Sequence, residues 1–124
     1  MKERELGRTY KDGEIICREG EKGKNMHVIQ SGKVNIIKKT AEGTLTLSTL
    51  KEGEIFGEMA LFDHLPRSAT VKAAGETRIL TIDRKGLFPR ISKDPTLAFK
   101  ILESMSKRIR NLSEEVTHLK RNLL

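Results

Sequence analysis

From residue 10 to residue 83 the chain alternates short apolar stretches with glycine-bearing turns. Many short strands separated by turn signals are the pattern of an all-β sandwich or barrel. The spacing predicts strands at 14–18, 27–30, 33–39, 45–50, 69–73 and 78–82. Within 33–39, Val34 and Ile36 share one face by period-two alternation, and the opposite strand alternates as Leu45, Leu47 and Thr49. Ala41, Glu42 and Gly43 between them read as a hairpin turn, with Gly43 able to take a positive φ. Residues 18–23 and 30–32 read as further turns.

The period becomes helical after Asp83, a predicted N-cap for a short helix carrying Leu87, Phe88 and Ile91 and interrupted near Pro89. Asp94 and Pro95 restart the chain as N-cap and first helical residue. No Gly or Pro follows, so a single helix of about 28 residues, roughly 40 Å long, is predicted to the C-terminus. Leu102, Met105, Ile109, Leu112, Val116, Leu119 and Leu123 recur in alternating steps of three and four, a heptad seam. Ile109 and Val116 fall at a, and Leu112 and Leu119 at d, a choice that favours two parallel strands. Glu115 at g and Lys120 at e suit an interchain charge pair. Leu97, Ile101 and Leu102 are expected to face the β core, and the seam from Ile109 onward is expected to form a parallel homodimer.

Between the β and helical parts, the stretch 56–70, FGEMALFDHLPRSAT, concentrates the candidate chemistry. Gly57 permits a sharp turn and a close approach to the main chain. The first amides of the turn that follows it, at Met59 and Ala60, lack intrahelical partners and suit an anion. Arg67 adds a planar cation with a fork of donors for phosphate oxygens, and Ser68 a hydroxyl beside it. Glu58 would repel a bound anion, unless the ligand also offers it a hydroxyl. A cyclic nucleotide has that pairing, one phosphodiester charge and a free ribose 2′-OH.

On Gly57, Glu58, Ala60, Leu61 and the run Pro66, Arg67, Ser68, Ala69, Thr70, the chain resembles the cyclic-nucleotide-binding domain family. Gly20, Gly32 and Gly53 also stand where that family places turns. The resemblance covers nearly the whole chain. It implies a mainly β fold, an antiparallel jelly-roll-like β-roll over 1–94 with a phosphate-binding cassette at 56–70, followed by a long lid and dimerisation helix over 95–124. It implies that Arg67 holds the cyclic phosphate together with Ser68 and the backbone at Met59, Ala60 and Ala69, while Glu58 holds the 2′-OH. Ile36 and Leu47 take the family positions against the base. In the catabolite-activator branch a helix threonine and a partner serine reach adenine, and here those positions hold Leu112 and Ser113. Leu112 can cover a base but cannot hydrogen-bond its edge. Cyclic AMP is the expected ligand and cyclic GMP the alternative.

Composition narrows the remaining classes. A chain of 124 residues supports one modest core, and with aromatics at 4% and no Trp that core rests on aliphatic residues. The net charge of +7 is spread among acids without a basic tract bearing interleaved aromatics, so no nucleic-acid binding is expected of this chain alone. Cys17 is the only cysteine, which excludes an internal disulfide. The charged start, MKERELGR, has no apolar signal core, and no apolar run reaches the roughly 20 residues of a membrane helix. A cytoplasmic protein is the expectation.

His27, His64 and His118 lie far apart and form no metal-binding motif, so neither a metal nor a cupin-type centre is expected. His64 or His118 would be the axial ligand in a haem sensor, an alternative ligand class. No nucleophile stands beside a base, which argues against an enzyme. The competing reading is the sensor part of a transcription regulator, whose DNA-reading helix-turn-helix would lie beyond Leu124.

Overall fold

Six antiparallel strands and two helices form in the computed structural model, which describes residues 7–63 and 65–123. The readings made on the first six residues and on His64 lie outside that range. The strands are β1 (Arg8–Tyr10), β2 (Ile15–Cys17), β3 (Met26–Thr40), β4 (Gly43–Lys51), β5 (Ile55–Phe56) and β6 (Thr70–Ile82). They make one sheet in the order β1-β6-β3-β4, with β2 also on β6 and β5 also on β3. The sheet is not closed into a barrel.

Two pairs of predicted strands prove to be single long ones. Segments 27–30 and 33–39 join in β3, and segments 69–73 and 78–82 join in β6. The predicted turn at Gly32 is a bulge. The register between β3 and β6 shifts on both sides of Ser31, while Gly32 takes φ 88° and pairing resumes at Lys33. Thr77, fully buried, donates from Oγ1 to the Lys33 carbonyl at 2.8 Å and closes the gap. A Cβ at Gly32 would stand 2.5 Å from the Glu76 carbonyl oxygen, so a side chain does not fit there. The short strands β1 and β5 carry too few residues for alternation to reveal them.

The apolar residues collect in two clusters. One, between the strands, contains Tyr10, Ile29, Val34, Phe56, Val71 and Ile79, with Ile36 packed at its margin. The other, where the helices sit on the sheet, contains Met26, Ile55, Leu61, Ile82, Leu87 and Ile101. Leu45 and Leu47 stay about half exposed, because β4 is the outer strand of the sheet order.

The first helix, α1 (Arg84–Lys93), starts as expected, with the Asp83 carboxylate accepting from the Gly86 amide at 2.6 Å. Pro89 does not interrupt it. Pro89 cannot donate to the Lys85 carbonyl, but both residues are exposed, on the solvent side of the helix. Asp94 accepts from both the amide and the hydroxyl of Thr96, and these bonds hold its carboxyl below the usual range. The second helix, α2 (Thr96–Asn122), has 27 residues. Its first turns face the sheet through Ile101, Leu97 and Met105. Leu102 does not join them. It is 66% exposed, because a step of one residue from Ile101 turns the side chain about 100° away. Ile109, Leu112, Val116, Leu119 and Leu123 continue this exposed stripe. Among the described residues no helix is long and apolar enough to cross a membrane.

Candidate functional site

The site is built where β5 ends. Gly57 leaves the strand in the left-handed region at φ 77°, ψ 9°, and a short 3-10 helix, Glu58–Leu61, follows. Two constraints select glycine here. The positive φ strains any L side chain, and a Cβ would stand 2.6 Å from Arg67 Nη1 and 3.1 Å from the Asn25 carbonyl oxygen. Gly23 meets the guanidinium from a second direction, since a Cβ there would overlap its nitrogens. Arg67 therefore lies against two stretches of bare backbone. It donates from Nη2 to the Asn25 carbonyl at 2.9 Å. Among the described residues no carboxylate forms an ion pair with it. A cation held by shape and one neutral acceptor keeps its charge available to a small anion.

Glu58 is fully buried, and both its oxygens are engaged by α2. Arg108 donates from Nη2 to Oε1 at 3.1 Å, and Ser104 Oγ donates to Oε2 at 3.3 Å. Neither partner was predicted. Their signal is the series Ile101, Ser104, Met105, Arg108, which lies on one helical face beside the heptad seam. The other end of the 3-10 helix is also tied down, since Arg84 of α1 donates from Nε and Nη2 to the Leu61 carbonyl.

The other predicted positions are less closely gathered. Ser68 is exposed, and its carbonyl accepts from Lys38 Nζ at 2.9 Å. The Ala60 amide is spent on the Gly57 carbonyl at 3.1 Å, Met59 is 45% exposed, and Ala69 is half-buried just before β6. Ile36 packs against the core margin, while Leu47 falls in the irregular step between the pairs Ile36–Ser48 and Ile37–Thr46 and is half exposed. Leu112 and Ser113 lie on the exposed part of α2, one turn beyond Arg108.

Beneath the 3-10 helix runs a polar chain, from buried Cys17 and His27 out to exposed Thr81, that sequence reasoning also missed. The His27 ring stacks on Phe56 with centroids 4.8 Å apart. Its Nδ1 pairs with Thr81 Oγ1 at 3.0 Å and its Nε2 with Cys17 Sγ at 3.4 Å. The ring also borders Gly57, where a Cβ would meet His27 Cδ2 at 3.3 Å. Burial, reinforced by the charge of Arg67, lowers the His27 pKa from 6.5 to about 4, so the ring is neutral at pH 7. Burial raises the Cys17 thiol above its ordinary value against the opposing pull of Arg67, which makes it a weak nucleophile. Among the described residues no cluster of three His, Cys, Asp or Glu side chains could hold a metal.

The family model for the cyclic nucleotide-binding domain matches residues 7–94, the whole sheet with its cassette and α1. The chain belongs to the cyclic nucleotide-binding domain family. This domain is 30% identical over 108 residues to a CRP-like cAMP-activated global transcriptional regulator of Mycobacterium tuberculosis, with 86% of this chain and 48% of that protein covered. It is 38% identical over 95 residues to a cAMP-dependent protein kinase regulatory subunit of Debaryomyces hansenii, with 70% of this chain and 20% of that protein covered. The crystal structure of the Thermus thermophilus catabolite activator protein superposes on the cyclic nucleotide-binding domain with a TM-score of 0.79 at 32% identity, covering 91% of this chain and 54% of the other. The domain thus spans about half the length of the Mycobacterium tuberculosis and Thermus thermophilus proteins.

Proposed function

We propose that this domain is a cyclic-nucleotide sensor without catalysis of its own, with cyclic AMP as the favoured ligand. The observation that carries the reading is Arg67, a guanidinium seated against Gly57 and Gly23 and in no ion pair with a carboxylate among the described residues, in a chain of this family. In this reading the ring phosphate docks on Arg67 beside Ser68 and the cassette backbone, and the ribose 2′-OH reaches Glu58. The base rests on aliphatic side chains, with Ile36, Leu47, Leu112 and Ser113 the assigned neighbours. The helix α2 acts as lid and, through its exposed stripe from Ile109 to Leu123, as the seam of a parallel homodimer. Because α2 already holds Glu58, a ligand hydroxyl at that carboxylate would bear directly on the helix, and differential affinity for two helix positions would shift the balance between them.

The likeness to a transcriptional regulator supports a second reading, in which this domain is the sensor part of a longer DNA-binding protein. A haem-sensing role has less support. His118 is exposed and pairs with Asn122 at 3.2 Å, away from the cassette. Calorimetric titration with cyclic AMP, cyclic GMP and 5′-AMP tests ligand class and base preference together. Saturable binding of a cyclic nucleotide, with 5′-AMP much weaker, is the expected result. Equal affinity for all three, or heat from none, would overturn the assignment.

A further inference from the structure

Glu58 sits in a position with no solvent exposure, and among the described residues its carboxylate oxygens are bonded by side chains of α2. A carboxylate accepts through several lone pairs, but a ligand can use one only if it can reach the oxygen. Arg108 donates to Oε1 in an ion pair, the stronger of the two bonds by charge and by distance. Ser104 donates to Oε2 through a neutral hydroxyl at 3.3 Å, the weaker bond and the one that yields first. The helix is anchored around this point by Ile101 in the core and by Met105 packed against it. A small rotation of the Ser104 side chain is therefore the first step that exposes Oε2, before any movement of the helix that follows.

We propose that Ser104 is a specificity-determining residue, its hydroxyl occupying on Glu58 the place that a ribose 2′-OH takes when a cyclic nucleotide binds. This rests on the assignment of Glu58 to the ribose. A ligand with a 2′-OH gives Glu58 one hydrogen bond and displaces another, so its net gain is small. A 2′-deoxy ligand leaves the Ser104 bond in place and loses little. Ser104 thus compresses the difference between the two sugars. Removing its hydroxyl leaves Oε2 without a donor in the free protein, and the 2′-OH then supplies one that was missing.

The experiment is calorimetric titration of wild type, Ser104→Ala and Ser104→Thr with cyclic AMP and its 2′-deoxy analogue, with circular dichroism confirming equal helix content. Ser104→Ala should widen the preference for the ribo over the deoxy ligand by about three- to tenfold, the worth of one ordinary hydrogen bond. The widening should come from tighter binding of the ribo form, and Ser104→Thr should restore the wild-type ratio. An unchanged ratio in Ser104→Ala, or a ratio narrowed because ribo binding weakens, would overturn the proposal and make Ser104 a support for Glu58. Failure of the folded wild type to bind either nucleotide is a different result, which removes the ligand reading and this inference with it.

Discussion

Mild acid should weaken the fold through His27. The imidazole is buried between Phe56, Cys17 and Thr81, with the Arg67 guanidinium nearby, and its pKa lies at about 4 instead of 6.5. Well above pH 6.5 the ring is neutral in both folded and unfolded chains and stability is unaffected. As pH falls below 6.5 the unfolded chain takes up a proton that the folded one refuses, so stability declines until the folded pKa is also passed. With these values the loss is about 2 kcal/mol between pH 7.5 and pH 5, approaching about 3 kcal/mol below pH 4. For a domain with the usual margin of roughly 5–15 kcal/mol, that is a substantial share. Urea unfolding followed by far-ultraviolet circular dichroism measures it, since the chain has no Trp and one Tyr. His27→Phe keeps the ring stack on Phe56 but cannot titrate. Its stability should fall between pH 7.5 and pH 5 by about 2 kcal/mol less than that of wild type, whatever its stability at neutral pH. Parallel losses in the two proteins, or a His27 proton resonance titrating near 6.5, would refute the reasoning.

Arg67→Ala should weaken cyclic-nucleotide binding at least tenfold by calorimetry, because hydrogen bonds to charged groups are worth about 1.5–3 kcal/mol each. An unchanged affinity would remove the phosphate assignment. Gly57→Ala meets both a positive φ and the Arg67 and Asn25 atoms, so a stability loss of about 1–3 kcal/mol and weakened binding are expected in denaturation and titration experiments. Wild-type protein should run in light scattering at twice the 14.0 kDa chain mass, and Ile109→Lys combined with Val116→Lys should run at the single-chain mass. A wild-type monomer at high concentration would count against the seam.

The β core, the hairpin at Gly43 and the Asp83 cap were legible because each depends on neighbours in sequence, on alternation, turn chemistry or a nearby cap. Strand continuity at Ser31 was not, because the bulge depends on Thr77 reaching the Lys33 carbonyl from another strand. Gly57 and Arg67 stood out in the sequence as a turn glycine and a phosphate-suited cation, and the structure adds that they meet, with Arg67 seated against the backbone of Gly57 and Gly23. The partners of Glu58 were hidden because Ser104 and Arg108 belong to the face of α2 next to the apolar repeat. The heptad pattern also drew Leu102 toward the core, although Ile101 occupies that direction. His27 was read as one of three scattered histidines, since its bonds to Cys17 and Thr81 join residues distant in sequence.

The seat of Arg67 has a practical consequence. Backbone walls at Gly23 and Gly57 position the guanidinium without cancelling its charge, and they offer no side chain that discriminates among oxyanions of similar size. Inorganic phosphate and sulfate should therefore act as competitors, and apparent affinities will depend on the buffer in which they are measured. Titrations in a zwitterionic buffer, with phosphate then added stepwise, would turn that interference into a direct measure of how strongly the bare cation attracts an anion.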